Sequence, residues 1–294
     1  MTEALNYFYN INIQNTKDIN TYKLVSTTNN NTYLLKESEK IEDINYIFIP
    51  FINEYNLNQN KYKIIKNIYG DQVTKIQNKY CLLLKVPSSY LDNENIEDII
   101  DFLFKNKVYI NGYKVSWNRL WEDKINYLNN FILGNESKYK DIMPYIFYYM
   151  GITENCILYL KNISEYSKLP VNLSICHRRL YYPLKELYLN NPYNFVIDVF
   201  QRDISEYIKS LYYANKDYLI ELEYYLKTNK INSYEASLLY IRIVYPSYFF
   251  DCLENSNIDY NAYNFKNTVE YENFIKKTYE LINSYVNIQK IDWL

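Results

Sequence analysis

The sequence is poor in the residues that build metal sites and disulfide frameworks. Its 294 residues include a single histidine, His177, and four cysteines that stand far apart with no C-x-x-C pair. A zinc site needs clustered ligands, and a disulfide-stapled domain needs a denser set of cysteines. Cys81 and Cys156 also lie inside apolar runs, where a free thiol packs as a small core residue. We therefore expect a protein of a reducing compartment.

Signals for export or membrane insertion are missing as well. Residues 1–6 contain neither a basic region nor a long apolar one, so no signal peptide is predicted. The most apolar long stretch, residues 143–160, is interrupted by Glu154 and Asn155 and is too short and too polar to span a bilayer. We expect no membrane association and a protein that is cytoplasmic when synthesised.

The chain has no excess of one charge and little glycine. Lysine and arginine number 32 against 34 aspartates and glutamates, which disfavours a nucleic-acid surface or a polybasic membrane anchor. There are 4 glycines but 38 tyrosines. The codon bias of an A/T-rich genome explains the tyrosines, and enrichment for oxidative cross-linking is the alternative that the composition leaves open.

Apolar residues make up 48% of the chain, enough for a large core, and their spacing divides it into two parts. In the first part, strands are predicted at 21–26 and 32–36 around an Asn-Asn-Asn turn. A second antiparallel pair is predicted at 63–69 and 80–86. Between the two pairs, helical spacing predicts a helix over 41–52 that Pro50 kinks or divides.

Beyond residue 89 the spacing becomes helical. Helices are predicted over 96–105, 117–133, 141–163, 203–213, 216–227, 234–253 and 267–286. One β-like run, 195–197, ends at Asp198. We therefore predict an α+β fold with a small antiparallel-sheet lobe at residues 1–88, containing one helix, and a larger helical lobe at residues 89–294.

Two short segments resemble the loop and strand that carry catalysis in a known superfamily. Residues 173–180 read LSICHRRL, and residues 195–198 read FVID. Aminoglycoside phosphotransferases and choline kinases have a catalytic loop H-x-D-x-x-x-x-N, followed by a strand that ends in a metal-binding aspartate. His177 falls at the histidine position and Asp198 at the aspartate position. The resemblance implies the two-lobed protein-kinase-like fold.

Three blocks resemble a narrower branch, the YutH-like kinase branch of the CotS-type spore coat proteins. They are ICHRR at 175–179, DVFQRDISEYI at 198–208 and YPSYFFD at 245–251. This resemblance implies a protein made in the mother-cell cytoplasm and incorporated into the spore coat, with other coat proteins as partners.

The catalytic positions depart from the superfamily pattern. The position of the catalytic aspartate holds Arg179, and the position of the second metal ligand holds Leu184. An arginine stays protonated and accepts no hydrogen bond, and a leucine offers no oxygen to Mg²⁺. Phosphoryl transfer depends on both groups, so the degenerate loop of His177, Arg178 and Arg179 predicts that the ordinary kinase mechanism is lost.

The nucleotide-binding features are sparse. Lys36 falls where these kinases place the lysine that contacts the α- and β-phosphates, and an exposed lysine at the end of a strand is the equal alternative. Glu39 and Glu42 are its candidate partners on the following helix. The preceding hairpin has no glycine with which to approach phosphates closely. We expect no cofactor, and the alternative is weak binding of ATP and magnesium through Lys36 and Asp198.

The remaining polar residues of these blocks have structural interpretations. Asp203 and Glu206 have the spacing of a helix N-cap and capping box. The resemblance implies that Asp203 also braces the loop and that His177 holds backbone geometry. A carboxylate without a metal needs a cation, so Arg178 or Arg179, and Arg179 by preference, is predicted to pair with Asp198 or Asp203.

Two functions follow from these features. The first is a catalytically impaired kinase-like protein with a structural or assembly role in the spore coat. The alternative is an ATP-dependent phosphotransferase with a rearranged site, acting on a small-molecule hydroxyl or amine. A nucleic-acid binder is disfavoured by the charge balance.

Overall fold

The computed structural model describes residues 2–19, 22–41, 44, 62–166, 169–254, 265 and 267–291. Contacts divide the chain into two units. The first comprises Met1–Asp98 and Pro183–Val196, and the second comprises Ile99–Tyr182 and Ile197–Leu294. The first unit therefore extends ten residues beyond the predicted boundary at residue 88 and takes a segment from the second half of the chain.

The first part of the chain is rich in β-strands, and the second part is mainly helical. In chain order they are α1 Thr2–Tyr9, β1 Ile13–Ile19, β2 Tyr22–Thr27, β3 Thr32–Ser38, β4 Lys63–Ile65, β5 Val73–Ile76, β6 Lys79–Val86, α2 Ile96–Lys105, β7 Lys107–Val108, α3 Trp117–Leu133, α4 Glu136–Tyr139, α5 Met143–Tyr166, β8 Leu173–His177, α6 Glu186–Leu189, β9 Phe195–Val199, α7 Gln201–Tyr213, α8 Tyr218–Thr228, α9 Ser233–Val244, α10 Ser247–Glu254 and α11 Thr268–Tyr285. Short 3₁₀ turns cover Lys140–Ile142 and Pro192–Asn194.

The first unit is built on an antiparallel sheet. The strands run in the order β1-β2-β3-β6-β4, and β5 also pairs with β6. The predicted hairpin is confirmed as β2 and β3, and Asn30 at its turn takes the left-handed conformation with a φ of 57°. The predicted pairing of 63–69 with 80–86 is confirmed as β4 and β6, but β4 ends at Ile65 rather than at residue 69.

Three features of the first unit were not predicted. Strand β1 is exposed along most of its length, so it lacks the alternation of apolar and polar residues from which a strand is predicted. Strand β5 and helix α1 were missed as well. The predicted helix over 41–52, with its break at Pro50, lies outside the described residues apart from Ile41 and Ile44.

The core of the first unit lies on both faces of the sheet. Because successive side chains of a strand point to opposite faces, Leu82 and Leu84 of β6 pack on one side with Tyr193 and Leu187. Leu83 and Cys81 pack on the other side with Leu5 and Tyr9 of α1. The segment Pro183–Val196 thus supplies core side chains to the first unit.

The second unit is mainly helical, as predicted, but it also contains a sheet. Strands β7, β8 and β9 pair in that order, whereas the sequence predicted only the run at 195–197. All five residues of β8 are buried, so the strand shows no alternation of apolar and polar residues. The predicted helix over 234–253 is divided at Tyr245 and Pro246, because proline cannot continue the hydrogen-bond ladder of α9.

Tyrosines serve as core residues in the second unit. The hydroxyl of Tyr149 donates to the carbonyl of Phe265, and the hydroxyl of Tyr271 donates to the carbonyl of Val244. Each ring is buried while its polar end is satisfied by the backbone. Over the described residues, no helix combines the length and apolarity needed to cross a membrane.

Candidate functional site

The candidate site is the segment after β8, and all the contacts that define it lie within the second unit. His177 ends β8 and is fully buried. Its backbone N–H donates to Oδ1 of Asp203 over 2.7 Å, and its ring Nδ1 lies 2.6 Å from Oδ2 of the same carboxylate. His177 is therefore held by its backbone and by its ring. The resemblance implied a structural role for His177 and Asp203, and these two hydrogen bonds are the contacts through which they would act.

The predicted capping box does not form. Helix α7 begins after Phe200, whose side chain makes no capping hydrogen bond, and Asp203 lies inside the first turn. Its carboxylate is used by His177 instead. Glu206 lies within the helix and is fully buried. The two acidic residues contact different groups instead. Asp203 accepts from the backbone of His177, and Glu206 accepts from Lys209 and Arg242.

Asp198, at the end of β9, is surrounded by hydrogen-bond donors. Its Oδ2 accepts from Nε1 of Trp117 and from Nη1 of Arg202, both over 2.8 Å. Its Oδ1 accepts from the backbone N–H of Val199 over 2.8 Å and from the hydroxyl of Tyr113 over 3.2 Å. Burial and the neighbouring Asp198 raise the pKa of Tyr113 well above its ordinary value, so this phenol stays a donor.

These donors fill the positions that a metal ion would use. A carboxylate has about four lone-pair sites, and here each oxygen already accepts two hydrogen bonds. Among the described residues, no group of three or more histidine, cysteine, aspartate or glutamate side chains is arranged to hold a metal. A metal ion could bind Asp198 only by displacing one or more of these donors.

Arg202 provides the positive charge beside Asp198. Its Nη1 lies 2.8 Å from Oδ2 of Asp198, and its Nε donates to the carbonyl of His177 over 2.7 Å. Burial alone lowers the pKa of Arg202, but Asp198 and Glu206 raise it above its ordinary value, so the side chain stays charged. The sequence predicted an arginine partner for Asp198 but named Arg178 or Arg179, and the arginine that pairs with it is Arg202.

Arg179, at the position of the catalytic aspartate, is directed to a different carboxylate. Its Nε and Nη2 donate to the two oxygens of Asp251 in α10 over 2.6 and 2.9 Å, a bidentate pair. Its Nε also lies 3.9 Å from Oε2 of Glu206. Burial opposes the charge, but Asp251 and Glu206 raise the pKa of Arg179 well above its ordinary value. The loop is thereby tied to α10.

Glu206 is the centre of a buried charge cluster. Its Oε1 accepts from Nζ of Lys209 over 3.0 Å and from Nε and Nη2 of Arg242 over 3.1 and 3.0 Å. Lys209 also donates to Oγ of Ser247 over 2.7 Å. Burial raises the pKa of Glu206, but Lys209 and the arginines lower it to well below the ordinary value. The cluster links α7, α9 and α10.

Sequence reasoning missed Arg202, Lys209, Arg242 and Asp251. A signal existed for two of them, because Arg202 and Asp251 lie inside the blocks 198–208 and 245–251 that carried the resemblance. Arg242 also had a signal of its own, since it interrupts an apolar helical run. A charge at such a position is buried and therefore needs a partner.

The other candidate residues do not all belong to the second unit. Lys36 lies on β3 of the first unit, opposite Leu82 of β6. Leu184, at the position of the second metal ligand, is 1% exposed in the first unit. Arg178 exposes its side chain, while its carbonyl accepts from Nη1 of Arg179. Glu42, one of the predicted partners of Lys36, lies outside the described residues.

The fold is that of the protein-kinase-like phosphotransferases. An aminoglycoside phosphotransferase from Alicyclobacillus acidocaldarius is 10% identical, with a TM-score of 0.54 over 97% of both chains. A spectinomycin phosphotransferase solved with ADP and spectinomycin is 13% identical, with a TM-score of 0.51 over 97% of both chains. An ethanolamine kinase from Plasmodium vivax is 12% identical, with a TM-score of 0.54 over 91% of this chain and 84% of that one.

The sequence also matches one particular family. Residues 2–290 match the family described as "Spore coat putative kinase YutH", and the chain belongs to this family. A curated relative, the endospore coat-associated protein YutH of Bacillus subtilis (strain 168), is 23% identical over 206 residues. That alignment spans 60% of this chain and 61% of the relative. The predicted resemblance to kinase-like spore coat proteins is confirmed.

Proposed function

We propose that this member of the YutH family is a catalytically impaired kinase-like protein with a structural or assembly role in the spore coat. Two arginine–carboxylate contacts at the positions of the metal and the base support this proposal. Arg202 pairs with Asp198, and Arg179 stands at the base position with its guanidinium on Asp251.

The loss of catalysis follows from what phosphoryl transfer requires. The reaction depends on metal ions that neutralise phosphate charge and on a carboxylate that orients the acceptor hydroxyl. A positioned base contributes about 10²–10⁴-fold to such a rate. Arg179 has no acceptor atom, and the aliphatic side chain of Leu184 offers no oxygen. ATP and magnesium are accordingly not proposed as cofactors.

The role in the coat rests on the family. The Bacillus relative is described as endospore coat-associated. We extend this to the present chain and propose that it is synthesised in the cytoplasm of the mother cell and assembled into the coat with other coat proteins. A balanced charge, with a net value of −2, is compatible with protein partners rather than nucleic acid.

The alternative, a phosphotransferase with a rearranged site, needs another carboxylate to act as the base. Asp251 is the most exposed of the carboxylates that contact the loop, with a side chain that is 30% exposed, whereas Asp203 and Glu206 are fully buried. Both of its oxygens, however, accept hydrogen bonds from Arg179. The alternative therefore requires that this bidentate pair opens when substrate binds, and it has less support.

The proposal is tested by calorimetry of ATP binding, with and without magnesium, and by a turnover assay with hydroxyl and amine acceptors. We expect no turnover above background. Turnover at ordinary kinase rates, about 1–100 s⁻¹, would contradict the proposal if Asp198→Ala abolished it. Asp101→Asn is the matched control, because Asp101 is an exposed residue of α2 whose single ion pair among the described residues is with Lys105.

A further inference from the structure

A cavity of about 560 Å³ lies within the second unit, beside the first turn of α3. This volume is within the range of small-molecule sites, about 300–1,000 Å³. Its polar lining comes from three parts of the unit, namely the segment before and at the start of α3, the end of α5 and the start of α9. The polar side chains are those of Tyr113, Lys114, Asn118, Lys161, Ser164 and Tyr234.

Several of these side chains have no partner of their own. Within the described part of the chain, no hydrogen bond or ion pair engages the side chains of Lys114, Asn118, Ser164 or Tyr234. Four polar groups from different parts of the unit therefore line one cavity and make no hydrogen bond within the described protein, and two of them, Lys114 and Ser164, are exposed. Convergent polar groups in a concave site are what orients a bound small molecule.

The charge of the lining is positive. Lys161 is already balanced, because its Nζ lies 2.5 Å from Oε1 of Glu122. Lys114 carries a second positive charge, and none of the described lining residues is acidic. The hydroxyl of Tyr113 is used by Asp198. The lining thus retains one unbalanced ammonium group, from Lys114, together with neutral hydrogen-bond donors.

The remaining wall is apolar. Val115, Leu169, Pro170 and Val171 contribute it, next to the polar groups. Apolar surface buried beside a charged group suits a ligand that has both an apolar body and one ionised end. An inorganic ion alone would leave this wall uncovered.

We propose that the cavity binds a small organic anion, a carboxylate or phosphate group carried on an apolar body. Lys114 neutralises the charge, and Asn118 and Tyr234 donate hydrogen bonds to the anionic oxygens. The apolar body lies against Val115, Leu169 and Val171. This proposal is independent of the loss of phosphotransfer, because the cavity uses none of the residues at positions 179, 184 or 202.

The test is calorimetry on the full chain with phenyl phosphate, benzoate and, as a neutral probe of similar shape, benzyl alcohol. We expect one or both anions to bind and benzyl alcohol to bind at least about tenfold more weakly, the equivalent of about 1.4 kcal/mol. Binding of phenyl phosphate alone assigns a phosphate ligand, and binding of benzoate alone assigns a carboxylate.

Variants locate the binding. Lys114→Gln should weaken anion binding about tenfold, and Tyr234→Phe should weaken it less, because a neutral donor contributes less than a charged one. Lys277→Gln is the matched control, since Lys277 is an exposed lysine of α11 outside the cavity. The proposal is overturned if neither anion binds at millimolar concentration, if benzyl alcohol binds equally well, or if Lys277→Gln weakens binding as much as Lys114→Gln.

Discussion

At the scale of single residues, the sequence indicated that Asp198 needs a cation but not which one. The desolvation cost of a buried carboxylate follows from residue type, so an arginine partner could be anticipated. The direction of a loop side chain depends on tertiary contacts. Arg179 bonds with Asp251, 72 residues away in the chain. Both residues lie in blocks that carry the resemblance, but no local pattern indicates that they pair. Arg202 was available instead because it lies at the start of α7, four residues after Asp198.

The pair of Asp198 and Arg202 should show strong coupling. Arg202→Met leaves a buried carboxylate without its cation and should lower the free energy of unfolding by about 3–5 kcal/mol. Adding Asp198→Asn removes the uncompensated charge, so the double variant should lose less than the sum of the single losses, by about 0.5–3 kcal/mol. Urea unfolding of the four proteins measures the cycle.

Arg119→Met is the control for that cycle. Arg119 is an exposed residue of α3, and its loss should change the free energy of unfolding by less than about 0.5 kcal/mol. If the losses from Arg202→Met and Asp198→Asn are strictly additive, the two side chains are not energetically coupled and the pair does not balance charge.

Lys209 should make stability depend on pH. Burial lowers the pKa of Lys209 to about 7. The negative charge of Glu206 opposes this shift, and the positive charges of Arg242 and Arg179 add to it. In the unfolded chain a lysine titrates near 10.4. Between these values the unfolded chain binds a proton that the folded chain does not, so stability rises with pH from about 7 to 9.

The measurement is the difference between the protein and Lys209→Met. The free energy of unfolding of the parent protein should rise relative to the variant by up to about 1.4 kcal/mol per pH unit over this window. Taking the difference removes the contribution of groups that titrate in both proteins. Parallel pH curves would show that Lys209 remains charged in the folded protein.

At the scale of elements, periodicity predicted helices well and buried strands poorly. The bounds of α2 and α3 agree with the predicted 96–105 and 117–133, because both helices expose one polar face. Strand β8 is buried on both faces and β7 has only two residues, so neither shows a period of two. The division between α9 and α10 had a visible signal in Pro246, which the predicted helix over 234–253 ignored.

Glu206 should be the residue on which the packing of three helices depends. Glu206→Gln removes the anion that balances Arg242 and, below a pH of about 7, Lys209 as well, and so leaves buried positive charge without its partner. We expect the free energy of unfolding to fall by about 3–5 kcal/mol, measured by urea titration. Gln keeps the size of the side chain, so the loss reports charge rather than packing.

The control for this prediction is Glu223→Gln. Glu223 forms an exposed pair with Lys227 on α8, and exposed pairs contribute little to the free energy of unfolding. A loss for Glu206→Gln as small as that of the control would mean that the cluster does not contribute to stability.

At the scale of the whole molecule, the resemblance predicted the fold and most of the positions of interest. It assigned His177, Asp198 and Asp203 to one loop region. In the structure, His177 donates to Asp203, and Arg202 donates both to the carbonyl of His177 and to Asp198. It could not indicate that Pro183–Val196 joins the first unit, because that contact is made between segments about a hundred residues apart. Sequence patterns of 10–20 residues carry no information on such contacts.

The first unit should depend on the core side chains that Pro183–Val196 supplies. Tyr193 is 7% exposed, and its hydroxyl donates to the carbonyl of Leu82 over 3.1 Å. Leu187 packs in the same core, and its backbone N–H donates to the carbonyl of Tyr90 over 3.0 Å. A fragment of residues 1–98 lacks both side chains. Truncating large core side chains costs about 2–5 kcal/mol each, which is comparable to the whole stability of a small domain.

We therefore expect residues 1–98 alone to show no cooperative thermal unfolding by circular dichroism. The same fragment joined to residues 183–196 by a flexible Gly/Ser linker should unfold cooperatively, because the core is then complete. Tyr193→Ala in the joined fragment is the matched control and should abolish that transition, whereas Tyr193→Phe should lower its stability by only about 1 kcal/mol. If residues 1–98 unfold cooperatively without the added segment, the first unit does not depend on Pro183–Val196 and the boundary predicted from the sequence describes the folding unit better.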